Sequence, residues 1–247
     1  MTGKEDVAIA EYRSKARAND LERCRVVLKE SDLHIAGRGY LREEALAALR
    51  HHRELLEDYI REVPEFLGSL TPLPVPLRAP VVVRAMAEAA FAAGVGPMAA
   101  VAGALAQLVG QHLLGQSPEV IVENGGDVFC RVARERVIAI DAGASPFSWT
   151  LGIKVVPAMG SVGICTSSGT RGGSLSFGRA DAACAIATSA ALADAAATAI
   201  GNVVHCGDDI DAGLRVAQCI PGLRGAVIVC GDDIGAWGDI ELVEIGQ

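Results

Sequence analysis

Ser189-Ala190-Ala191-Leu192-Ala193-Asp194-Ala195-Ala196-Ala197-Thr198-Ala199-Ile200-Gly201-Asn202 is almost pure helix former, and Asp194 is its only charge. On a helix Asp194 and Thr198 stand at i and i+4, so a carboxylate and a hydroxyl project side by side from a surface otherwise made of methyl groups. Two oxygen ligands at that spacing can begin a Mg²⁺ site. The plain alternative is a packing helix with two polar exceptions, Thr198 bonding back to a carbonyl of the preceding turn.

Two glycine-rich segments precede this helix. Glu123-Asn124-Gly125-Gly126-Asp127 lies between strand-like runs. As a hairpin turn it uses the paired glycines for positive φ. As a site it lets a ligand approach the Gly125-Gly126 backbone, with Asn124 and Asp127 as polar anchors. Cys165-Thr166-Ser167-Ser168-Gly169-Thr170-Arg171-Gly172-Gly173-Ser174 leaves another strand. It is either a surface loop or a cradle for an anionic group such as phosphate, in which Thr166, Ser167, Ser168 and Gly169 contribute hydroxyls and amides and Arg171 a bidentate guanidinium. It contains no lysine, which excludes a P-loop. Asp181 is a weaker candidate, since it also suits a turn or an ion pair with Arg179. No Gly-x-Ser-x-Gly elbow or catalytic cysteine signature is present.

Composition narrows the function classes. The chain has 247 residues, 51% of them hydrophobic, 28 glycines and a net charge of -8. After Asp181 only Arg215 and Arg224 are basic, so no electrostatic footprint for nucleic acid exists. The seven cysteines are scattered in mostly apolar runs without a CxxC pair, and the five histidines do not join them at zinc spacing. Buried reduced thiols and a cytoplasmic location are expected, in keeping with an N-terminus that lacks a secretory signal. From Ala89 to Pro118 there is no Asp, Glu, Lys or Arg. Gly94-Val95-Gly96-Pro97 breaks that run and no Trp or Tyr marks an interface, so two buried helices are expected rather than a membrane span.

The pattern along the chain predicts a polar lead-in over 1–20 and a single α+β domain over 21–247. It begins with a hairpin from Cys24–Leu28 and Leu33–Ala36 and a long amphipathic helix over Leu41–Leu67. The stiff Thr71-Pro72-Leu73-Pro74-Val75-Pro76 follows. Helices are expected over Pro80–Ala93, Pro97–Leu114, 189–200 and Ile210–Gln218. Strands are expected at Val120–Glu123, Val128–Val132, Val137–Ile140, Gly152–Val156, Val162–Thr166, Ala183–Ala187, Ala226–Val229 and Ile240–Ile245. Strands grouped between helices favour mixed or antiparallel sheets packed with helices over a doubly wound parallel sheet. Cys-Gly-Asp-Asp-Ile occurs at 206–210 and 230–234. Asp208 of the first copy is expected to cap the helix after it; the echo reads as coincidence.

Four segments in order carry a resemblance: Gly94–Gly103, Val122–Asp127, Gly163–Gly169 and Ala190–Asn202. Together they resemble the ApbE superfamily, whose named members are FAD:protein FMN transferases, and in particular its shorter branch without an established function. The resemblance covers roughly residues 30–245. It implies an ApbE-like fold with Mg²⁺ held by Asp194 and Thr198, and with Gly125, Gly126, Asp127, Thr166, Ser167 and Gly169 lining a flavin dinucleotide site. The implied chemistry is phosphoryl transfer from FAD, or a related phosphate-containing substrate, in which FMN passes to a hydroxyl of an acceptor protein and AMP leaves.

The sequence also departs from the transferases. Gly94–Gly103 stands where they carry Gly-Gly-Ile-Ala-Lys-Gly, and it has no lysine. Ser174–Asp181 replaces a His-containing Asp-Pro loop, and Asn124 directly precedes Gly125. The alternative is therefore a protein that holds a flavin, another nucleotide or a small metabolite without transferring anything. A third reading, a structural subunit of a homo-oligomer, predicts a buried Asp194 satisfied by neighbouring backbone.

Overall fold

The described residues, 20–170 and 176–246 of a computed structural model, begin with the expected hairpin: β1 (Glu22–Leu28) and β2 (Ser31–Gly37) pair antiparallel. The amphipathic helix that follows is shorter than its apolar periodicity predicts. α1 (Arg42–Glu62) stops before Val63, and a single turn, α2 (Glu65–Gly68), carries the pattern on. Pro64 is the reason, because it lacks an N–H and drives the residue before it out of helical geometry. Val63 sits at φ -131° and ψ 75°. Tyr59 and Phe66 still meet edge to face across the break, with ring centroids 5.2 Å apart.

Beyond the proline segment lie α3 (Val81–Ala93), ended by Gly94 at φ 72°, then a 3₁₀ turn at Pro97–Ala100 and α4 (Val101–Leu113). No single described helix is long and apolar enough to cross a membrane. The two helical pieces pass that test only as a pair bent by 105°. Their apolar faces, through Val82, Val83, Met86, Leu105 and Val109, are spent on the core.

The remaining elements are β3 (Val120–Asn124), β4 (Asp127–Arg131), β5 (Arg136–Ala139), β6 (Leu151–Val155), β7 (Ser161–Ser167), β8 (Ala182–Ala187), α5 (Ala190–Gly201), α6 (Ile210–Cys219), β9 (Leu223–Cys230), β10 (Asp233–Gly238) and β11 (Leu242–Glu244). Eight strands form one sheet in the order β1-β2-β3-β4-β7-β8-β9-β10, and β11-β6-β5 form a second. Every pairing is antiparallel. The α+β class is as expected, with the mixed sheets resolved into antiparallel ones.

Period-two alternation divides the large sheet into two faces. Val122, Phe129, Cys165 and Ala185 point to the helices. Val128, Cys130, Ile164, Cys184 and Ile186 point the other way and share a smaller core with Ile153 and Val155 of the second sheet. A buried ion pair, Arg136 Nε to Glu119 Oε1 at 2.7 Å, ties β5 to the approach to β3.

The described cysteines are all free thiols. Cys130, Cys165 and Cys184 are buried, but Cys206 and Cys219 are exposed, so the thiols are less uniformly internal than their apolar neighbours suggest. The helix-capping expectation for Asp208 is corrected. A 3₁₀ turn over Gly207–Asp209 puts Asp209 at the position before α6, where its side chain makes no cap to that helix; its Oδ2 instead reaches back and accepts from the His205 and Cys206 N–H groups at 2.9 and 3.2 Å.

Candidate functional site

The site grows from α5, whose small side chains let it sit deep between α4 and the sheet. Ala190, Ala191, Ala193, Ala195, Ala196, Ala197, Ala199 and Ile200 are buried, whereas Asp194 and Thr198 remain partly exposed. They are the polar groups by which this helix reaches a cleft. Ser189 starts the helix by accepting from the Leu192 N–H at 3.3 Å. Gln107 of α4 adds a second cap, its Oε1 accepting from the Ala190 N–H at 2.7 Å and the Ser189 hydroxyl at 3.0 Å.

The favour is returned. Asp194 Oδ2 accepts from the Gly103 N–H in the first turn of α4 at 2.8 Å, so each helix closes the N-terminus of the other. Gly103 makes this approach possible: a Cβ there would lie 2.3 Å from the Ala190 carbonyl oxygen and 2.8 Å from Asp194 Cβ. Gly103→Ala is expected to destabilise the protein by about 1–3 kcal/mol, the usual cost of overpacking, read from its urea midpoint at unchanged m-value.

The hairpin turn places the second carboxylate. Gly125 and Gly126 have φ of 66° and 102°, the left-handed pair that a two-residue hairpin connection requires, so Asn124 and Asp127 face each other in register. Both side chains lie on the helix side of the sheet. Asn124 Nδ2 donates to the Ala102 carbonyl at 3.2 Å. Asp127 is buried, and its Oδ1 has no hydrogen-bond partner.

Burial pushes the Asp127 carboxyl well above the usual carboxylate range, and the Asp194 charge pushes it further. The Cys165 thiol and Thr166 N–H offset this only in part. Burial raises Asp194 to about 7 against the pull of the Gly103 and Ala102 amides. The two acids thus hold protons that ordinary carboxyls would have released, or await a cation. The donor set of the Asp194 carboxylate, the Asp127 carboxylate with its orphaned Oδ1, and the Thr198 hydroxyl suits a hard divalent ion. Among the described residues no group of three or more His, Cys, Asp or Glu forms a ready-made metal cluster. Any ion here would complete its shell from hydroxyls, backbone, ligand or water.

The second glycine-rich segment is the end of β7. Thr166, Ser167 and Ser168 line the same cleft of about 1830 Å³ as Asn124, Gly125, Gly126, Asp127, Asp194 and Thr198. Gly169 serves the fold instead. Its N–H donates to the Ala180 carbonyl at 2.9 Å, and a Cβ there would lie 2.2 Å from the Gly178 carbonyl oxygen. Arg171 lies outside the described residues. Asp181 ties this loop to the β9–β10 turn, accepting from the Thr170 hydroxyl at 2.9 Å and the Gly231 N–H at 2.7 Å. Residues not singled out beforehand also shape the site: Gln107, Gly103 and Asn202, whose Oδ1 accepts from the Phe177 N–H at 3.0 Å. The glutamine inside an apolar helix was a signal that one polar side chain there has a buried partner.

A large antiparallel sheet with helices on one face, a small sheet on the other and a carboxylate-lined cleft at the hairpin end defines an ApbE-like protein. The flavinyl transferase ApbE of Pseudomonas stutzeri, in its apo form, shares the fold at 14% identity with a TM-score of 0.58, covering 88% of this chain and 94% of that one. A variant of the flavin transferase ApbE from Vibrio cholerae does so at 12% identity with a TM-score of 0.56, covering 88% and 97%. The chain belongs to the family described as AbpE bacteria, whose model matches residues 13–235. Its relatives include UPF0280 proteins of Methanosarcina acetivorans, 42% identical over 80% of this chain and 79% of that protein, and of Methanocaldococcus jannaschii, 40% identical over 89% and 92%.

Proposed function

We propose that the protein is a Mg²⁺-dependent phosphoryl transferase that uses FAD, or a related phosphate-containing substrate, and passes FMN to a hydroxyl of an acceptor. The observation that carries this reading is the pair of acids on the cleft wall, one with an orphaned oxygen, within an ApbE-like fold. Asp194, Thr198 and Asp127 would hold Mg²⁺, which supplies charge neutralisation on a pyrophosphate. The Gly125-Gly126 backbone admits the phosphates closely, and the Ser167 and Ser168 hydroxyls, with Arg171, would orient them. The free thiols support a cytoplasmic setting.

Incubation with FAD and Mg²⁺ is expected to release AMP, and a chelator to stop it, followed by chromatography of the nucleotides. One observation favours a second reading. Asp194 already accepts from the Gly103 N–H, a role that needs no ligand. Tight flavin binding without AMP, unaffected by chelator, would establish a binding protein instead.

A further inference from the structure

The two Cys-Gly-Asp-Asp-Ile copies meet in space. The chain from Val204 to Ile210 crosses the helix-covered side of the β9–β10 hairpin, and three contacts fix its register there. Val204 Cγ2 and Ile228 Cδ1 converge on Gly213, at 2.8 and 2.6 Å from where a Cβ would stand. Gly207 lies on Asp233, and a Cβ on that glycine would be 3.2 Å from Asp233 Cβ. Ile210 covers Gly235. In the hairpin Ile228 pairs with Gly235 and Cys230 with Asp233. The place between Val204 over Ile228 and Gly207 over Asp233 is the one over Cys230, and Cys206 fills it. Cys206 is extended, at φ -153° and ψ 176°, which puts it on the side of buried Val204 while His205 faces solvent.

Two thiols of unequal character are thus neighbours. Cys206 is exposed, and Cys230 is half-buried against the helix-side core. Burial pushes the Cys230 thiol above its ordinary value, and nearby Asp181, Cys206, Asp233 and Asp209 push the same way. Disulfides join residues whose Cβ atoms lie about 3.5–4.5 Å apart, and the Gly207–Asp233 contact shows the two segments running within that reach. Cys219, the other exposed thiol, stands in a shallow hollow with Phe91, Arg215 and Ile220, where no second cysteine lines the wall among the described residues.

We propose that Cys206 and Cys230 are a redox modification site, closing as a reversible intramolecular disulfide by exchange with a small uncharged or cationic disulfide. The Cys206 thiolate attacks the reagent, forming a mixed disulfide and expelling one small thiol. The Cys230 thiolate then attacks the Cys206 sulfur and expels the second. The two protein thiols are oxidised, the reagent's S–S bond is reduced, and the two protons leave on the small thiols. Asp181, Asp209 and Asp233 around the pair select against an anionic reagent. The bond also has a route to the cleft. Cys230 adjoins Gly231, whose N–H donates to the Asp181 carboxylate that also holds the Thr170 hydroxyl. Neither the site nor its test depends on the transferase reading.

The test is to treat the reduced full chain with cystamine, a dication, and to map its cysteines by mass spectrometry. Cys219 is expected to keep a cysteamine adduct. Cys206 and Cys230 are expected to carry none, to lose one hydrogen each, and to appear as one linked peptide pair in a monomeric chain, restored by dithiothreitol. In Cys230→Ser, Cys206 should stop at the adduct. Oxidised glutathione, an anion, should modify Cys206 at least about tenfold more slowly than cystamine at low salt, with the gap narrowing as salt is added.

A wild-type Cys206 that keeps its adduct as Cys219 does overturns the proposal. So does a Cys206 that stays reduced while Cys219 reacts, or a link that forms only between chains. Equal rates for the two reagents at low salt overturn the charge preference.

Discussion

Asp194→Asn is expected to lower Mg²⁺-dependent AMP release from FAD by at least about 100-fold, since loss of an outer-shell partner alone costs a metal site 10–100-fold. The substitution separates charge from scaffolding. The Asn carbonyl oxygen can still accept from the Gly103 N–H, which Asp194 meets at 2.8 Å in the native protein, so α4 keeps its cap. The anion does not survive. Thr198→Ala should have a smaller effect, about tenfold, with Thr198→Ser retaining most activity because the hydroxyl is kept. Rates of AMP formation at saturating Mg²⁺, alongside unfolding midpoints, decide the matter. A well-folded Asp194→Asn protein with native turnover would remove Asp194 from the reaction.

The second large effect is on stability against pH. Burial raises Asp194 from 3.8 to about 7, and Asp127 is raised well above 3.8. Between about pH 4 and 7 the folded protein thus retains protons that the unfolded chain has released, so stability falls as pH rises through this window. One pKa unit corresponds to about 1.4 kcal/mol, which makes the loss a matter of a few kcal/mol.

Other groups oppose it. Asp20, Glu30, Glu57 and Asp209 are held low by their partners, and they stabilise above about pH 4. His52 is kept neutral mainly by burial, so acid below about pH 6.5 penalises the fold. The informative quantity is therefore the difference between wild type and Asp127→Asn, measured in urea from pH 4.5 to 8 without metal. The variant should gain stability relative to wild type as pH rises. Added Mg²⁺ should offset the wild-type loss increasingly at high pH, because a cation binds the ionised pair. Parallel pH profiles would mean that the Asp127 carboxyl titrates alike in the folded and unfolded protein, and that neither burial nor Asp194 shifts it.

Much of the fold is local and therefore legible. The β1–β2 hairpin, the β3–β4 turn and the alanine-rich helix all fall where alternation, paired glycines and helix formers put them. The apolar spacing of the long helix continues through Val63-Pro64, so periodicity alone carries it to Leu67, whereas the proline ends it at Glu62. Strand order was not legible. β4 pairs with β7 and β11 with β6 across long stretches of chain, and no local pattern encodes those partners. At the site, the Asp194–Thr198 spacing was visible, but the pairing of Asp194 with Asp127 was not. It depends on the hairpin and α5 meeting under the sheet, and on Gly103 allowing two helices to touch. Gln107 lies in the uncharged run from Ala89 to Pro118, and nothing near it in sequence points to the start of α5, which its side chain closes.

The reciprocal capping of α4 and α5 gives Asp194 two employments, one in the architecture and one in the proposed chemistry. A descendant that lost its reaction would still be selected to keep this aspartate, since discarding it would leave the first turn of α4 unclosed. The Asp-x-x-x-Thr signature is consequently a poor diagnostic of activity among proteins of this shape. The orphaned oxygen of Asp127 is the better marker, because no helix depends on it.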